Sequence, residues 1–153
     1  MQIVDFAFNY VVVFLIVLTI LVFVHEWGHY WVARRAGVRV EVFSIGFGPE
    51  IYGWTDKHDT RWKISAIPLG GYVKMFGEAD LGWEEEEESR PLSPEEKAVS
   101  FHHKKLWQRS AIVAAGPIAN FIFAAVLVAL LAGIVGTARP LGCSIYPILY
   151  LLY

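Results

Sequence analysis

Residues 6–29 read FAFNYVVVFLIVLTILVFVHEWGH, and this run decides how the rest of the chain is read. Its first 19 residues, 6–24, hold only Asn9 and Thr19 as clearly polar members. At about 1.5 Å per residue a helix of that length crosses roughly 30 Å of hydrocarbon, so the stretch reads as a transmembrane helix. A secretory signal peptide would bring a basic leader, a shorter apolar core and a small-residue cleavage site, and the stretch has none of these. The helix is expected to continue through HEWGHYWVARRAG, with Gly37 as C-cap and Arg34 and Arg35 near its negative dipole end.

Working outward, the 153 residues are 56% hydrophobic and 18% charged, with a mean hydropathy of +0.44. A soluble domain carries about 25% charged residues, and a disordered chain far fewer apolar ones. The apolar excess sits in two blocks, the one just quoted and AIVAAGPIANFIFAAVLVALLAGIVGT at 111–137. Two spans and a loop of about 70 residues leave no room for a second globular core. The formal net charge of -2 offers nucleic acid no attraction, and no nucleic-acid partner is expected. Twelve of the thirteen Lys and Arg residues lie between Arg34 and Arg109, the exception being Arg139. By the positive-inside rule the middle is cytoplasmic, both termini face the opposite side, and the second span runs opposite to the first. The single cysteine, Cys143, has no internal partner and says nothing about redox compartment.

Between the spans the period changes. VRVEVFSIGFGP and RWKISAIPLGGYVKMFG are rich in β-branched and aromatic residues and punctuated by glycine, the pattern of short strands joined by tight turns. The cluster of Gly46, Gly48, Pro49 and Gly53 excludes one long helix there. The fold class is therefore an α-helical membrane protein with two transmembrane helices and a small membrane-associated β hairpin or sheet between them. Its expected segments are a first transmembrane helix at 6–36, a β segment at 38–77, a cytoplasmic acidic loop at 78–107, a second transmembrane helix at 110–137 and an atypical tail at 138–153. The acidic loop contains five consecutive glutamates, Glu84 to Glu88, and reads as a solvated segment.

His25, Glu26 and His29 stand at the end of the first apolar run in the spacing His-Glu-x-x-His. Histidines four apart share one helical face with Cβ atoms about 5 to 6 Å apart, close enough for both imidazoles to bind one Zn²⁺. Glu26 then belongs near an open coordination position. There it takes a proton from a water that the ion acidifies to a pKa of roughly 7, and hands it to the leaving amine. The chemistry indicated is metal-assisted peptide hydrolysis. Three fixed positions match by chance in soluble proteins. Ionisable residues at membrane depth are costly and point to function by default.

HEWGHYWVARRAGVRVEVFSIGFGP, IPLGGYVKMFGE and FHHKKLWQRSAIVAAGPIANFIFA, in this order, resemble the amino-terminal part of the site-2 protease family of intramembrane zinc metalloproteases (peptidase M50), and within it the bacterial regulator of sigma-E protease branch. The resemblance implies a multi-pass protein of the bacterial inner membrane that cuts single-span transmembrane substrates, such as anti-sigma factors or remnant signal peptides, in regulated intramembrane proteolysis. It implies Zn²⁺ as cofactor, His25 and His29 as ligands, Glu26 as the catalytic glutamate, and the lipid bilayer as partner. It also implies that 38–77 is a membrane-reentrant β segment whose edge pairs with an unwound substrate. Gly70, Gly71, Tyr72, Val73 and Lys74 fall in the most recognisable part of that segment. Strand addition of this kind needs unpaired backbone groups, and a purely structural hairpin is the competing reading. Pro117 and Asn120 match a helix motif near the family's active site, where Asn120 is a candidate to bind substrate backbone or to pack against a neighbouring helix.

The sequence also departs from the family. A catalytic zinc takes three protein ligands, and the family's third is an aspartate in an Asp-Gly pair on a later helix. No Asp-Gly pair occurs in the 153 residues. His58, His102, His103 and Cys143 are formal substitutes placed in loops or past the second span. LGCSIYPILYLLY does not look like the family's continuation. The alternative expectation is accordingly a truncated, catalytically inactive membrane fragment that lacks the third zinc ligand.

Overall fold

The computed structural model describes residues 2–78 and 92–135, and the chain divides into two compact units, Met1–Asn120 and Phe121–Tyr153. In chain order the elements are helix α1 (Gln2–Arg35), strand β1 (Val40–Thr55), strand β2 (Arg61–Met75), helix α2 (Pro94–Val99) and helix α3 (Leu106–Val135). The glutamate run 84–88 and the tail 138–153 with Cys143 lie outside the described residues.

Both long helices are apolar over enough residues to cross a bilayer, Phe8–Arg35 in α1 and Leu106–Ile134 in α3. Their large side chains stay uncovered: Phe8, Val13, Phe14 and Ile16 on α1, and Leu106, Trp107, Val113 and Ile118 on α3. In the second unit, Phe121 and Ile134 are 77% and 82% exposed. Contiguous apolar surface on this scale is not tolerated in water and is consistent with a membrane protein.

Helix α1 ends where the sequence says it should. Gly37 takes φ +73°, its N–H donates to Arg34 O at 3.1 Å, and the Val38 N–H donates to Ala33 O at 2.9 Å. These are the two bonds of a Schellman cap, with the left-handed position occupied by the residue that tolerates it without strain. Ala33 and Val38, joined by the second bond, are both buried in the core with Val40, Met75, Phe101 and Ile112.

The sheet holds two strands paired antiparallel, and each strand is long enough to fold back. In the register, residues 42–45 run opposite to 71–74 on one flank and in the same direction as 61–64 on the other, while 52–55 run opposite to 61–64. Two strands therefore make four paired segments. The fold-back falls at Gly46 and Gly48, with φ +89° and +84°, and a Cβ on Gly46 would lie 2.8 Å from Ile67 O.

An aromatic ladder docks this sheet on α1. Phe43 is fully buried, worth roughly 1.5–3 kcal/mol. Its ring stacks on Trp62 at 4.2 Å and meets Tyr30 and Phe23 of α1 edge-on at 5.8 and 5.9 Å. Asp56 organises the tip of the hairpin: Oδ1 accepts from the main-chain N–H groups of His58 and Thr60 at 2.7 and 3.1 Å, and Oδ2 from Trp62 Nε1 at 3.1 Å and Tyr30 Oη at 3.4 Å. Burial pushes the Asp56 carboxyl up, and the hydrogen bonds from His58, Trp62 and Thr60 outweigh it and hold the pKa below the ordinary value.

The stretch expected as a loop contains an element. Ser93 and Glu96 form a capping box, with Ser93 N donating to Glu96 Oε2 at 2.8 Å and Glu96 N to Ser93 Oγ at 3.2 Å, and Pro94 opens α2. The signal SPEE was present in the sequence beneath the charge density. After α2 the chain rejoins the sheet's end, where Arg39 N donates to Val99 O and Phe101 N to Phe76 O. Helix α3 then begins at Leu106, earlier than 110, because the Gln108 side chain reaches back to accept from Lys105 N at 3.2 Å.

Candidate active site

His25, Glu26 and His29 belong to the part of α1 that packs on α3 and on the sheet. The two imidazoles are one turn apart, with ring centroids at 4.8 Å and an interplanar angle of 77°. Opposite them, α3 presents a stripe at four-residue intervals, Ile112, Gly116 and Asn120. His29 Nδ1 lies 2.7 Å from Ile112 O, and His25 Nδ1 lies 3.3 Å from Asn120 Nδ2. The order is antiparallel, since the earlier residue of α1 meets the later residue of α3. Small residues let the two backbones approach: a Cβ on Gly28 would stand 2.5 Å from Ala115 O and 2.8 Å from Ala119 Cβ.

Gly116 sits at the centre of this contact. A Cβ there would lie 2.7 Å from both His25 Nε2 and His29 Cε1, and closer still to His29 Nε2. The two rings reach this position with their Nε2 edges against the helix backbone because residue 116 has no side chain. Ile112 O is an acceptor only, so His29 Nδ1 carries the proton and its Nε2 keeps a lone pair. A neutral imidazole with one nitrogen fixed by a carbonyl is the form in which histidine binds a metal. His29 is held in that form, and the Nε2 atoms of His25 and His29 both lie beside Gly116, as two of the three protein ligands of a catalytic zinc would. Among the described residues no group of three His, Cys, Asp or Glu is arranged to hold a metal ion. His102 and His103 are engaged elsewhere, with Gly77 O and Ser100 Oγ, and His58 lies in the hairpin turn.

Glu26 faces the sheet. A Cβ on Gly71 would lie 2.7 Å from Ser44 O, 2.9 Å from Val22 Cγ1 and 3.3 Å from Glu26 Cγ, so only glycine lets the strand run this near the carboxylate. His25, Glu26, Gly70, Gly71 and Asn120 line one cleft of about 360 Å³, walled by Leu18, Leu21, Val22, Phe47 and Leu69. Residues 71–74 pair with 45–42 on one side, and no further strand among the described residues pairs with them.

Of the remaining expected residues, Tyr72 stacks on Phe47 at 6.3 Å with Lys63 Nζ 5.0 Å above its ring, and Val73 packs on the core. Pro117 is exposed and does not line the cleft. Sequence reasoning missed the Ile112 carbonyl, which has no side-chain signature at all, and the wall residues Phe47 and Leu69, which read as ordinary strand residues.

The sequence model of Peptidase family M50 matches residues 13–149. A protein of Rhizobium meliloti (strain 1021) named "Putative zinc metalloprotease" is 54% identical over 126 residues, covering 82% of this chain and 34% of the relative. One of the same name in Agrobacterium fabrum (strain C58 / ATCC 33970) is 55% identical over 132 residues, covering 86% and 35%. The regulator of sigma-E protease RseP of Salmonella typhimurium (strain 14028s / SGSC 2262) is 52% identical over 111 residues, covering 72% and 23%. The chain spans about a third of the length of the first two relatives. It belongs to peptidase family M50.

Proposed function

We propose that this chain carries the metal-binding and catalytic part of an intramembrane zinc endopeptidase, with His25 and His29 as ligands and Glu26 as general base and acid. The observation that supports it is the convergence of the two imidazoles on Gly116, which has no side chain to block them, with His25 and the neighbouring Glu26 lining one cleft. Bound zinc supplies Lewis acidity, polarising the scissile carbonyl and acidifying the attacking water. The Glu26 carboxylate takes the proton of that water and delivers it to the leaving amine nitrogen. The apolar walls of the cleft lower the local dielectric, which strengthens each polar interaction beside them.

A transmembrane substrate arrives as a helix whose carbonyls are occupied by its own hydrogen bonds. Gly70, Gly71, Tyr72, Val73 and Lys74 receive it as an added strand, which opens those bonds and presents one peptide group to Glu26. The substrates are single-span proteins, such as anti-sigma factors or remnant signal peptides, cut in regulated intramembrane proteolysis. The protein sits in the bacterial inner membrane with both termini periplasmic and the basic middle cytoplasmic, an orientation that the clustering of Lys and Arg between the two apolar blocks supports. The test is cleavage of a model single-span substrate by the full gene product beside its Glu26→Gln variant. Loss of turnover with zinc retained is expected; equal cleavage by both proteins would sink the reading.

A further inference from the structure

Asn120 is half-buried on α3, and its amide faces His25. Its Nδ2 lies 3.3 Å from His25 Nδ1, while its Oδ1 is buried with no hydrogen-bond partner. In that orientation Nδ2–H donates to Nδ1, which obliges His25 to carry its proton on Nε2. Nε2 is the nitrogen that faces the Gly116 cradle together with His29 Nε2. A proton there removes the lone pair that a ligand needs. Half a turn of the amide about its last bond exchanges the two atoms without moving the side chain. The orphaned oxygen then accepts from His25 Nδ1–H, and Nε2 is left free.

The neighbouring histidine shows the arrangement that results. His29 Nδ1 is held by an acceptor on the same stripe of α3, the Ile112 carbonyl at 2.7 Å. Ile112 and Asn120 are eight residues apart, bracketing Gly116, so one helix face offers an acceptor to each imidazole and an empty position between them. We infer that Asn120 is a positioning residue for His25, its amide oxygen accepting from Nδ1–H so that both Nε2 lone pairs face the same point. This rests on His25 and His29 being the metal ligands. It differs from a substrate-binding role for Asn120, in which the amide would donate to a substrate carbonyl.

Two readouts on the full gene product in bilayer discs separate these roles: the ¹⁵N tautomer signature of His25 without metal, and zinc affinity by chelator competition. Wild type shows His25 in the Nδ1–H form. Asn120→Leu is expected to move His25 towards the Nε2–H form and to weaken zinc roughly 10- to 100-fold, the range typical for loss of a group that orients a ligand. Asn120→Asp, an acceptor that cannot donate, restores both. His29 is held by a main-chain oxygen, so its tautomer stays constant in every variant, and Asn120→Ala repeats the experiment should leucine disturb the packing. An unchanged His25 tautomer with zinc affinity within threefold of wild type overturns the inference. So does Asn120→Asp behaving like Asn120→Leu, the pattern expected if the amide acts as a donor. A wild-type full gene product that binds no zinc, with the tautomer still shifted by Asn120→Leu, overturns the metal reading and leaves the hydrogen bond standing.

Discussion

Gly116→Ala adds one methyl to a helix of 30 residues, and the site turns on what that methyl meets. It would lie 2.7 Å from His25 Nε2 and closer still to His29 Nε2, whereas ordinary contact begins at 3.4 Å, so the His25 ring must yield by about 0.7 Å and the His29 ring by more. Metal–ligand distances tolerate about 0.2 Å. Neither ring is free to yield, because each is tied at its far nitrogen, His29 to Ile112 O at 2.7 Å and His25 to Asn120 at 3.3 Å. Giving up one such bond costs about 1 kcal/mol, more where a buried carbonyl is left without a donor. Two displaced ligands therefore cost about 2–4 kcal/mol of zinc affinity, or roughly 30- to 700-fold at 1.4 kcal/mol per decade. The assay is chelator competition for zinc on the chain in bilayer discs, with Gly133→Ala as control. That control is the same substitution on the same helix, where a Cβ meets nothing within 4 Å. It should leave zinc untouched and gain roughly 0.5–1 kcal/mol of helix stability. If Gly116→Ala binds zinc within threefold of Gly133→Ala, the cradle does not hold the metal.

Three further outcomes follow from the same contacts. Gly28→Val drives its Cβ against Ala115 O at 2.5 Å and Ala119 Cβ at 2.8 Å, so thermal stability should fall by about 1–3 kcal/mol of overpacking; an unchanged melting temperature would refute the close helix crossing. Gly71→Val pushes the strand away from Val22 and Glu26, so cleavage of a model substrate should drop at least tenfold while zinc affinity holds, and full turnover would refute strand pairing beside Glu26. Asp56 has a folded pKa below its unfolded value of about 3.9, so its contribution is fully present above that value and is lost as pH falls through the lower folded one. Trp62 fluorescence should therefore stay constant from neutral pH to about pH 4 and change below it. Asp56→Ala should abolish that transition, and persistence of the transition in the variant would assign it to another group.

Legibility followed the range of the interactions. The Gly37 cap depends on residues 33–38 alone, and its left-handed glycine after a basic last turn was readable at once. The capping box of α2 is equally local and was hidden only because Glu95 and Glu96 belong to a densely charged stretch. The strands were readable as strands from their β-branched and aromatic content, but not their folding back. Residues 42–45 pair on both flanks because Gly46 and Gly48 turn the chain, and which segments then meet depends on register rather than composition.

The candidate site divides in the same way. The sequence by itself determined two apolar helices and a pair of histidines on one face of the first, since a helix of 3.6 residues per turn brings positions 25 and 29 together wherever it lies. It also determined that an ionisable pair at the end of an apolar run demands compensation. Only the tertiary structure decided what compensates it: a main-chain oxygen 83 residues away for His29, an amide 95 residues away for His25, and a strand glycine against Glu26. The physical reason is that periodicity encodes which face of a helix is buried, whereas a carbonyl is the same at every residue and a glycine's missing Cβ matters only once another element has packed against it.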